Sequence, residues 1–142
     1  MTMYRIREVD GVDHAADLEM LHEATFDAGE AVRDTTEGHW WIAYDEENMP
    51  VAFAGVEPST VYPLTGYYCR VGVLPLCRGA GLQFRFTRAI EARCRRNGWR
   101  AIVTDTRQNV PSANNFIRAG YRLFDPETPW AFADSLYWRK EL

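Results

Sequence analysis

The segment of residues 71–82 constrains the fold most, because it joins an apolar strand to a helix through a short loop that contains two glycines. The strand stops at Pro75, and Gly79 and Gly81 would let the main chain approach a ligand closely. Such a loop directs several backbone N–H groups at one point, where the positive end of the helix dipole adds attraction for an anion. The segment therefore indicates either a phosphate-binding loop or a plain tight turn.

Two familiar phosphate-binding loops do not fit this segment. A Walker loop ends in Gly-Lys-Ser/Thr, whereas Gly81 is followed by Leu82 and Gln83. A dinucleotide-binding fingerprint has a third glycine where this chain has Phe84, and it usually opens a βαβ unit instead of lying in the middle of the chain.

The length of 142 residues favours a single domain, residues 1–142, with a hydrophobic core of its own. The N-terminus is charged and alternating, which does not suit a signal peptide, and no apolar run approaches the ~20 residues needed to cross a bilayer. The three cysteines, Cys69, Cys77 and Cys94, are odd in number and lack metal-ligand spacing. They favour a reduced, cytoplasmic setting and no metal site.

The net charge of -4 hides an uneven distribution of charge. Residues 1–60 contain fourteen Asp and Glu against three Arg, whereas residues 61–142 contain thirteen Lys and Arg against six acids. The two halves could attract a cationic and an anionic ligand, respectively, although most single charges are expected to be solvated. The negative total argues against nucleic-acid binding.

Hydrophobic periodicity predicts a mixed α/β (α+β) fold with helices on both faces of one sheet. The predicted strands cover residues 3–9, 39–44, 50–57, 66–74, 99–106, 121–124 and 135–140. The predicted helices cover residues 13–25 (with Asp13 as the N-cap), 82–97 and 111–119, and the ambiguous segment 27–38 has an optional short helix at 29–33.

The order of motifs from residue 66 to residue 124 resembles the GNAT superfamily of acyl-CoA-dependent N-acyltransferases. The family's loop signature is Arg/Gln-x-x-Gly-x-Gly/Ala, and residues 78–83 match it except at Gln83, where a small residue is usual. A second family signature places a Tyr seven residues after an Asn, and Gly-Phe/Tyr four residues further on. Asn109, Phe116 and Gly120 keep this spacing, but Phe replaces the Tyr. The resemblance implies a mostly antiparallel central sheet of six to seven strands.

The resemblance also implies that acetyl-CoA is the co-substrate. Backbone N–H groups of the loop would bind its diphosphate, and its pantetheine arm would run beside the strand at residues 71–73, as an added strand would. Asn109 would hydrogen-bond the pantetheine, helped by Asn114 or Asn115, and Arg85 or Arg88 would meet the 3′-phosphate. The cofactor-binding residues implied in this way are Val71, Val73, Arg78, Gly79, Ala80, Gly81, Leu82, Gln83, Asn109, Asn114 and Phe116.

Acetyl transfer to an amine requires that the amine lose a proton, that a donor stabilise the oxyanion, and that the thiolate leave. The resemblance assigns the oxyanion donor to the backbone N–H of Val71. The family's acid, which protonates the leaving thiolate, is a Tyr at the position of Phe116, so this chain has no proton donor there. A thiolate of ordinary pKa, near ~8.5, is still a tolerable leaving group. Glu57 is the first candidate for the base, followed by Asp105 and Tyr67. A chain of waters could replace a single base, and Glu57 could instead be a solvent-facing strand end.

These features predict an N-acetyltransferase that transfers acetyl directly from acetyl-CoA to a primary amine. The acidic N-terminal half favours a cationic acceptor: a small molecule, a lysine side chain or an N-terminus. The alternatives are a catalytically degenerate acyl-CoA-binding module and acetylation of an amine on a modified nucleotide; the chain would be a monomer or a homodimer. Most aromatic residues are expected in the core, but a few could line an amine pocket: Trp40, Trp41, Tyr62, Tyr67, Tyr68 and Trp130.

Overall fold

The computed structural model describes residues 2–142, which form seven strands and three α-helices. The strands are β1 (Arg5–Val9), β2 (His39–Tyr44), β3 (Pro50–Pro58), β4 (Thr65–Val73), β5 (Ala101–Thr106), β6 (Arg122–Phe124) and β7 (Leu136–Glu141). The helices are α1 (Ala15–Thr25), α2 (Leu82–Arg96) and α3 (Val110–Arg118), with a single 3-10 turn at Pro75–Cys77.

All seven strands belong to one sheet, in the order β1-β2-β3-β4-β5-β7-β6. Every neighbouring pair is antiparallel except β4 and β5, which are parallel. The crossover connection that parallel strands require is supplied by α2. This arrangement confirms the predicted mixed, mostly antiparallel sheet.

The sheet is buried on both faces. Alternate residues of β2 show this directly: Trp40 and Ile42 pack with α1, whereas Trp41 and Ala43 pack with α2 and α3. Burying a large apolar side chain contributes about 1.5–3 kcal/mol, so the two faces together supply most of the stability. The predicted helices on both faces are therefore confirmed. No helix within residues 2–142 has both the length and the hydropathy to cross a membrane.

Two sequence predictions in the N-terminal half are wrong. Asp13 is not the N-cap of α1, because the N-cap is His14, one residue later, and the helix begins at Ala15. Asp10 instead accepts the N–H groups of Val12 and Asp13, at 2.8 and 3.0 Å, and so closes a turn before the helix. Residues 29–33 form no helix: a turn ends at Glu30, and tertiary contacts from Arg70 to the Ala31 carbonyl and from Arg33 to Glu57 hold the irregular backbone that follows. The other predicted elements agree with the structure to within two residues at each end.

Candidate functional site

Strands β4 and β5 separate and leave a gap in the sheet. They pair only between Thr65–Tyr67 and Ala101–Val103, after which the Thr104 hydroxyl donates to the Tyr68 carbonyl at 2.8 Å. Beyond this point β4 continues to Val73, and within residues 2–142 no strand pairs with that edge. One edge of β4 is thus bound to β3, and the other is open.

Val71 and Val73 direct their backbone groups toward the gap. Leu74 donates its N–H to the Val51 carbonyl at 2.9 Å, and hydrogen-bonded and non-bonded residues alternate along an antiparallel ladder. Val71 and Val73 are therefore the residues whose N–H and C=O groups point away from β3. Arg78 reaches the Val73 carbonyl from that side, with Nε at 3.4 Å. An added strand would find its partners here.

A β-bulge at Cys69 accounts for the separation. Gly55 pairs with Arg70 and Val56 pairs with Tyr68, which leaves Cys69 without a partner on β3. A bulge bends its strand and increases the local twist, and Arg70 satisfies the Cys69 carbonyl with Nη1 at 2.7 Å. Burial raises the pKa of the Cys69 thiol, so this cysteine is a protonated core residue and a poor nucleophile.

The glycine loop between β4 and α2 presents a row of unpaired amides. Gly79 and Gly81 have φ of +83° and +76°, a region that glycine enters without steric cost. Within residues 2–142, no protein acceptor receives the backbone N–H groups of residues 79–84. A Cβ built at Gly79 or Gly81 would meet no protein atom within 4 Å. The loop and the first turn of α2 therefore form an open cradle of N–H donors at the positive end of the helix.

Gln83 connects this cradle to α3. Its amide donates to the Ser112 hydroxyl at 3.1 Å and accepts from Asn115 at 3.0 Å. Asn109 is the N-cap of α3, with Oδ1 accepting the Ser112 N–H at 3.1 Å. Asn114 is exposed. Asn109 thus caps α3 through Oδ1, while its Nδ2 group is available to donate a hydrogen bond to a ligand.

Phe116 lies inside the core, in the same apolar cluster as Leu82. Its ring is 2% exposed and makes edge-to-face contacts with Tyr68 and Tyr121, at centroid distances of 5.4 and 5.2 Å. The ring has no polar atom, so this position offers packing and no proton.

Glu57 is fully engaged by a cation. Arg33 donates to Oε1 through Nε at 3.0 Å and through Nη2 at 2.7 Å, and Nη2 also reaches Oε2 at 2.6 Å. The contact with Glu57 raises the pKa of the Arg33 guanidinium, which stays charged at any working pH. Both carboxylate oxygens are therefore committed to a charge-assisted pair.

Asp105, on β5, is held differently. Its Oδ2 accepts one hydrogen bond from Tyr67 Oη at 2.8 Å and one from Trp130 Nε1 at 2.9 Å. Burial, reinforced by the negative charge of Asp105, raises the pKa of Tyr67 well above its ordinary value, so the phenol keeps its proton and donates. The Oδ1 atom makes no hydrogen bond within residues 2–142 and is not sealed from solvent.

The structure thus brings the three predicted base candidates close to one another where the strands separate. Tyr67 links them, since its hydroxyl binds Asp105 and its ring lies 5.6 Å from the Arg33 guanidinium that holds Glu57. A partly open cavity of about 190 Å³ lies to one side, between α1 and residues 32–36, and none of the three candidates lines it.

Sequence reasoning did not identify the roles of Arg33 and Trp130. Arg33 is the one basic residue between Arg7 and Arg70 (histidines aside) in an otherwise acidic stretch, and that isolation was a usable signal for an ion pair. Trp130 was one of six aromatic candidates, with nothing local to indicate Asp105 as its partner.

The charge division of the sequence is partly neutralised in the fold. Arg93 pairs with Glu8 at 3.1 Å, and Arg85 donates to the Tyr4 carbonyl at 3.0 Å. Arg88 makes no ion pair within residues 2–142, and its guanidinium lies 5.8 Å from the exposed Phe84 ring. Arg88 is therefore freer than Arg85 to meet an anion near the cradle.

Comparison with known proteins agrees with this geometry. The statistical model of the acetyltransferase (GNAT) family matches residues 3–121. Among curated proteins, none matches the sequence.

Solved structures share the fold at low sequence identity. IAA acetyltransferase from Bacillus cereus superposes with a TM-score of 0.78 at 14% identity, covering 99% of this chain and 100% of its own. The yncA protein of Salmonella typhimurium, with its cofactor acetyl-CoA, superposes with a TM-score of 0.73 at 19% identity, covering 98% and 94%. The ribosomal-protein-S18-alanine N-acetyltransferase of Escherichia coli gives a TM-score of 0.73 at 11% identity, also covering 98% and 94%.

Proposed function

The chain belongs to the acetyltransferase (GNAT) family, and on this premise we propose that it transfers acetyl from acetyl-CoA directly to a primary amine. The observation that carries the proposal is the joint placement of two features. The unpaired amides of residues 79–84 adjoin the open edge of β4, at Val71 and Val73.

The residues of the cradle fit the coenzyme. Unpaired N–H groups at a helix N-terminus favour phosphate oxygens, and the space beside Gly79 and Gly81 is free of protein atoms. The diphosphate would be bound by the amides of residues 79–83, because the Arg78 N–H donates to the Pro75 carbonyl. The pantetheine would be bound by the open edge of β4 and the Nδ2 group of Asn109. Of the two arginines considered for the 3′-phosphate, Arg88 is favoured because Arg85 is already bound to Tyr4.

Acetyl-CoA supplies an acetyl thioester, whose carbonyl carbon the amine nitrogen attacks as the C–S bond breaks. Asp105 is our candidate for the group that accepts the ammonium proton, because its Oδ1 has no protein partner and Trp130 and Tyr67 fix its orientation. Glu57 is disfavoured in this role since Arg33 occupies both of its oxygens. Tyr67 is disfavoured since its raised pKa keeps it protonated.

The backbone N–H of Val71 points into the gap and would stabilise the oxyanion. Phe116 offers no proton to the departing sulfur, so solvent would supply it. Direct transfer is also favoured by the raised pKa of Cys69, the thiol that lies on β4 itself.

The test combines binding with turnover. Isothermal titration with acetyl-CoA measures binding, and release of free thiol with a panel of primary amines measures transfer. We expect Asp105→Asn to lower kcat by roughly 10²–10⁴-fold, the usual contribution of a general base, with acetyl-CoA affinity unchanged. Glu57→Gln is the matched control and should lower kcat far less. Acetyl-CoA binding without thiol release for any amine would favour the binding module, and absence of binding would refute the proposal.

A further inference from the structure

Asp105 is a half-buried carboxylate with no cationic partner, in contrast to Glu57 and Glu91. Glu57 pairs with Arg33 and Glu91 pairs with Lys140. Within residues 2–142 no Lys, Arg or His nitrogen lies within 4.0 Å of an Asp105 oxygen, and both of its donors are neutral. A carboxylate held in this way, with one oxygen open, favours binding of a positive charge from outside the chain.

Both donors to this carboxylate, Tyr67 and Trp130, are aromatic side chains that belong to a cluster of rings. Trp130 is the centre of the cluster, with centroid distances of 4.6 Å to Tyr137, 6.0 Å to Tyr67 and 6.3 Å to both Tyr62 and Phe124. Four of the five rings are only half-buried, and Tyr137 is the buried base of the cluster. We call these five rings the aromatic wall: Tyr62, Tyr67, Phe124, Trp130 and Tyr137.

The loop of residues 125–135, which supplies Trp130, is held by contacts at two points, Ala131 and Asp134. The Ala131 N–H donates to Tyr137 Oη at 3.1 Å, next to the bond between Trp130 and Asp105. Further along the loop, Asp134 pairs with Arg107 at 2.7 Å and accepts from Gln108 at 3.0 Å. The rings are therefore preorganised, which lowers the ordering cost of binding.

We propose that Asp105 and the aromatic wall bind the acceptor, and that the acceptor is an arylalkylamine: an ammonium joined by a short linker to an aromatic ring. This inference rests on the proposed function. The ammonium binds Asp105 Oδ1 and the adjoining ring faces through cation–π contact, and the acceptor's own ring packs on Tyr62 and Trp130. A lysine side chain in a peptide has the ammonium but no ring, and it leaves most of the wall uncovered.

The acceptor test uses amines that differ in one feature. The probes are 2-phenylethylamine, 2-cyclohexylethylamine and Nα-acetyl-lysine methylamide, each with saturating acetyl-CoA. Contact between two aromatic rings contributes more binding free energy than the burial of their area alone. We therefore expect kcat/KM for 2-phenylethylamine to exceed that for 2-cyclohexylethylamine by roughly fivefold or more. Tyr62→Leu should remove this preference without touching a hydrogen bond to Asp105. Phe132→Leu is the matched control, since Phe132 lies on the same loop, is 50% exposed and is outside the wall.

A binding experiment decides the inference independently of turnover. Benzyltrimethylammonium is an aromatic cation that cannot be acetylated, and quenching of tryptophan fluorescence reports its binding. We expect binding that weakens at least tenfold in Asp105→Asn and in Tyr62→Leu but not in Phe132→Leu.

Equal or better turnover of the cyclohexyl or lysine probe, or benzyltrimethylammonium binding that these variants do not alter, would overturn the inference while leaving amine acetylation intact. Failure of acetyl-CoA to bind would refute the proposed function. The benzyltrimethylammonium titration would still decide whether the aromatic wall binds cations.

Discussion

Comparison of Gly81→Ala with Gly98→Ala separates the cost of backbone strain from the loss of ligand binding. Gly81 has φ of +76° at the start of α2, and Gly98 has φ of +77° just after its end. A Cβ at either position would meet no protein atom within 4 Å. The two glycines are therefore matched in conformation and in surroundings, but only Gly81 belongs to the cradle.

This match allows the loss of stability and the loss of affinity for acetyl-CoA to be estimated separately. Holding Ala in the left-handed region costs about 1–2 kcal/mol, so both variants should unfold roughly 3–8 °C below the parent. In Gly81→Ala the methyl group also occupies the space where a phosphate oxygen would approach the amides. Loss of one hydrogen bond to a charged group costs about 1.5–3 kcal/mol, which weakens the Kd for acetyl-CoA by roughly 10- to 150-fold.

The assay is isothermal titration of acetyl-CoA into both variants, with thermal unfolding as the measure of strain. The expected result is equal destabilisation and a loss of affinity confined to Gly81→Ala. Unchanged affinity in Gly81→Ala, or an equal loss in Gly98→Ala, would refute the assignment of the cradle.

Three further predictions concern stability. In Gly55→Ala the new Cβ overlaps the buried Trp40 ring, and overpacking should lower the free energy of unfolding by about 1–3 kcal/mol in urea titrations. Tyr67 has a pKa that is raised in the folded state. Its contribution to the free energy of unfolding is therefore complete below pH 10.0, the ordinary pKa of tyrosine, and is lost as the pH rises further. Tyr67→Phe should flatten this alkaline decline in stability. Lys140→Met leaves Glu91, which is 6% exposed, without its cation at 3.0 Å. We expect a loss of about 3 kcal/mol, recovered in part by adding Glu91→Gln.

Periodicity alone predicted most of the fold, because burial on two faces leaves an unambiguous pattern. The run from Trp40 to Ala43 is apolar throughout, as a strand covered on both sides must be. The prediction failed where side chains at long sequence separation decide the backbone. Thr35 donates to the Gly11 carbonyl at 2.6 Å, and nothing in the local sequence indicates this contact.

The candidate site was predictable to the extent that backbone groups form it. Two glycines and a helix start indicate a possible cradle without any knowledge of side-chain partners, whereas the edge of β4 was expected only from the family resemblance. The side-chain contacts could not be predicted in the same way, because Glu57 and Arg33, or Asp105 and Trp130, are distant in sequence. Their pairing depends on the bulge at Cys69 and on the path of the 125–135 loop.

The crystal structure of the acetyl-CoA complex tests the central claim most directly. Our account predicts that diphosphate oxygens lie within about 3.2 Å of the backbone nitrogens of residues 79–83, and that the thioester lies beside Val71 in the gap between β4 and β5. A complex in which the diphosphate lies elsewhere, while these amides face solvent, would contradict it.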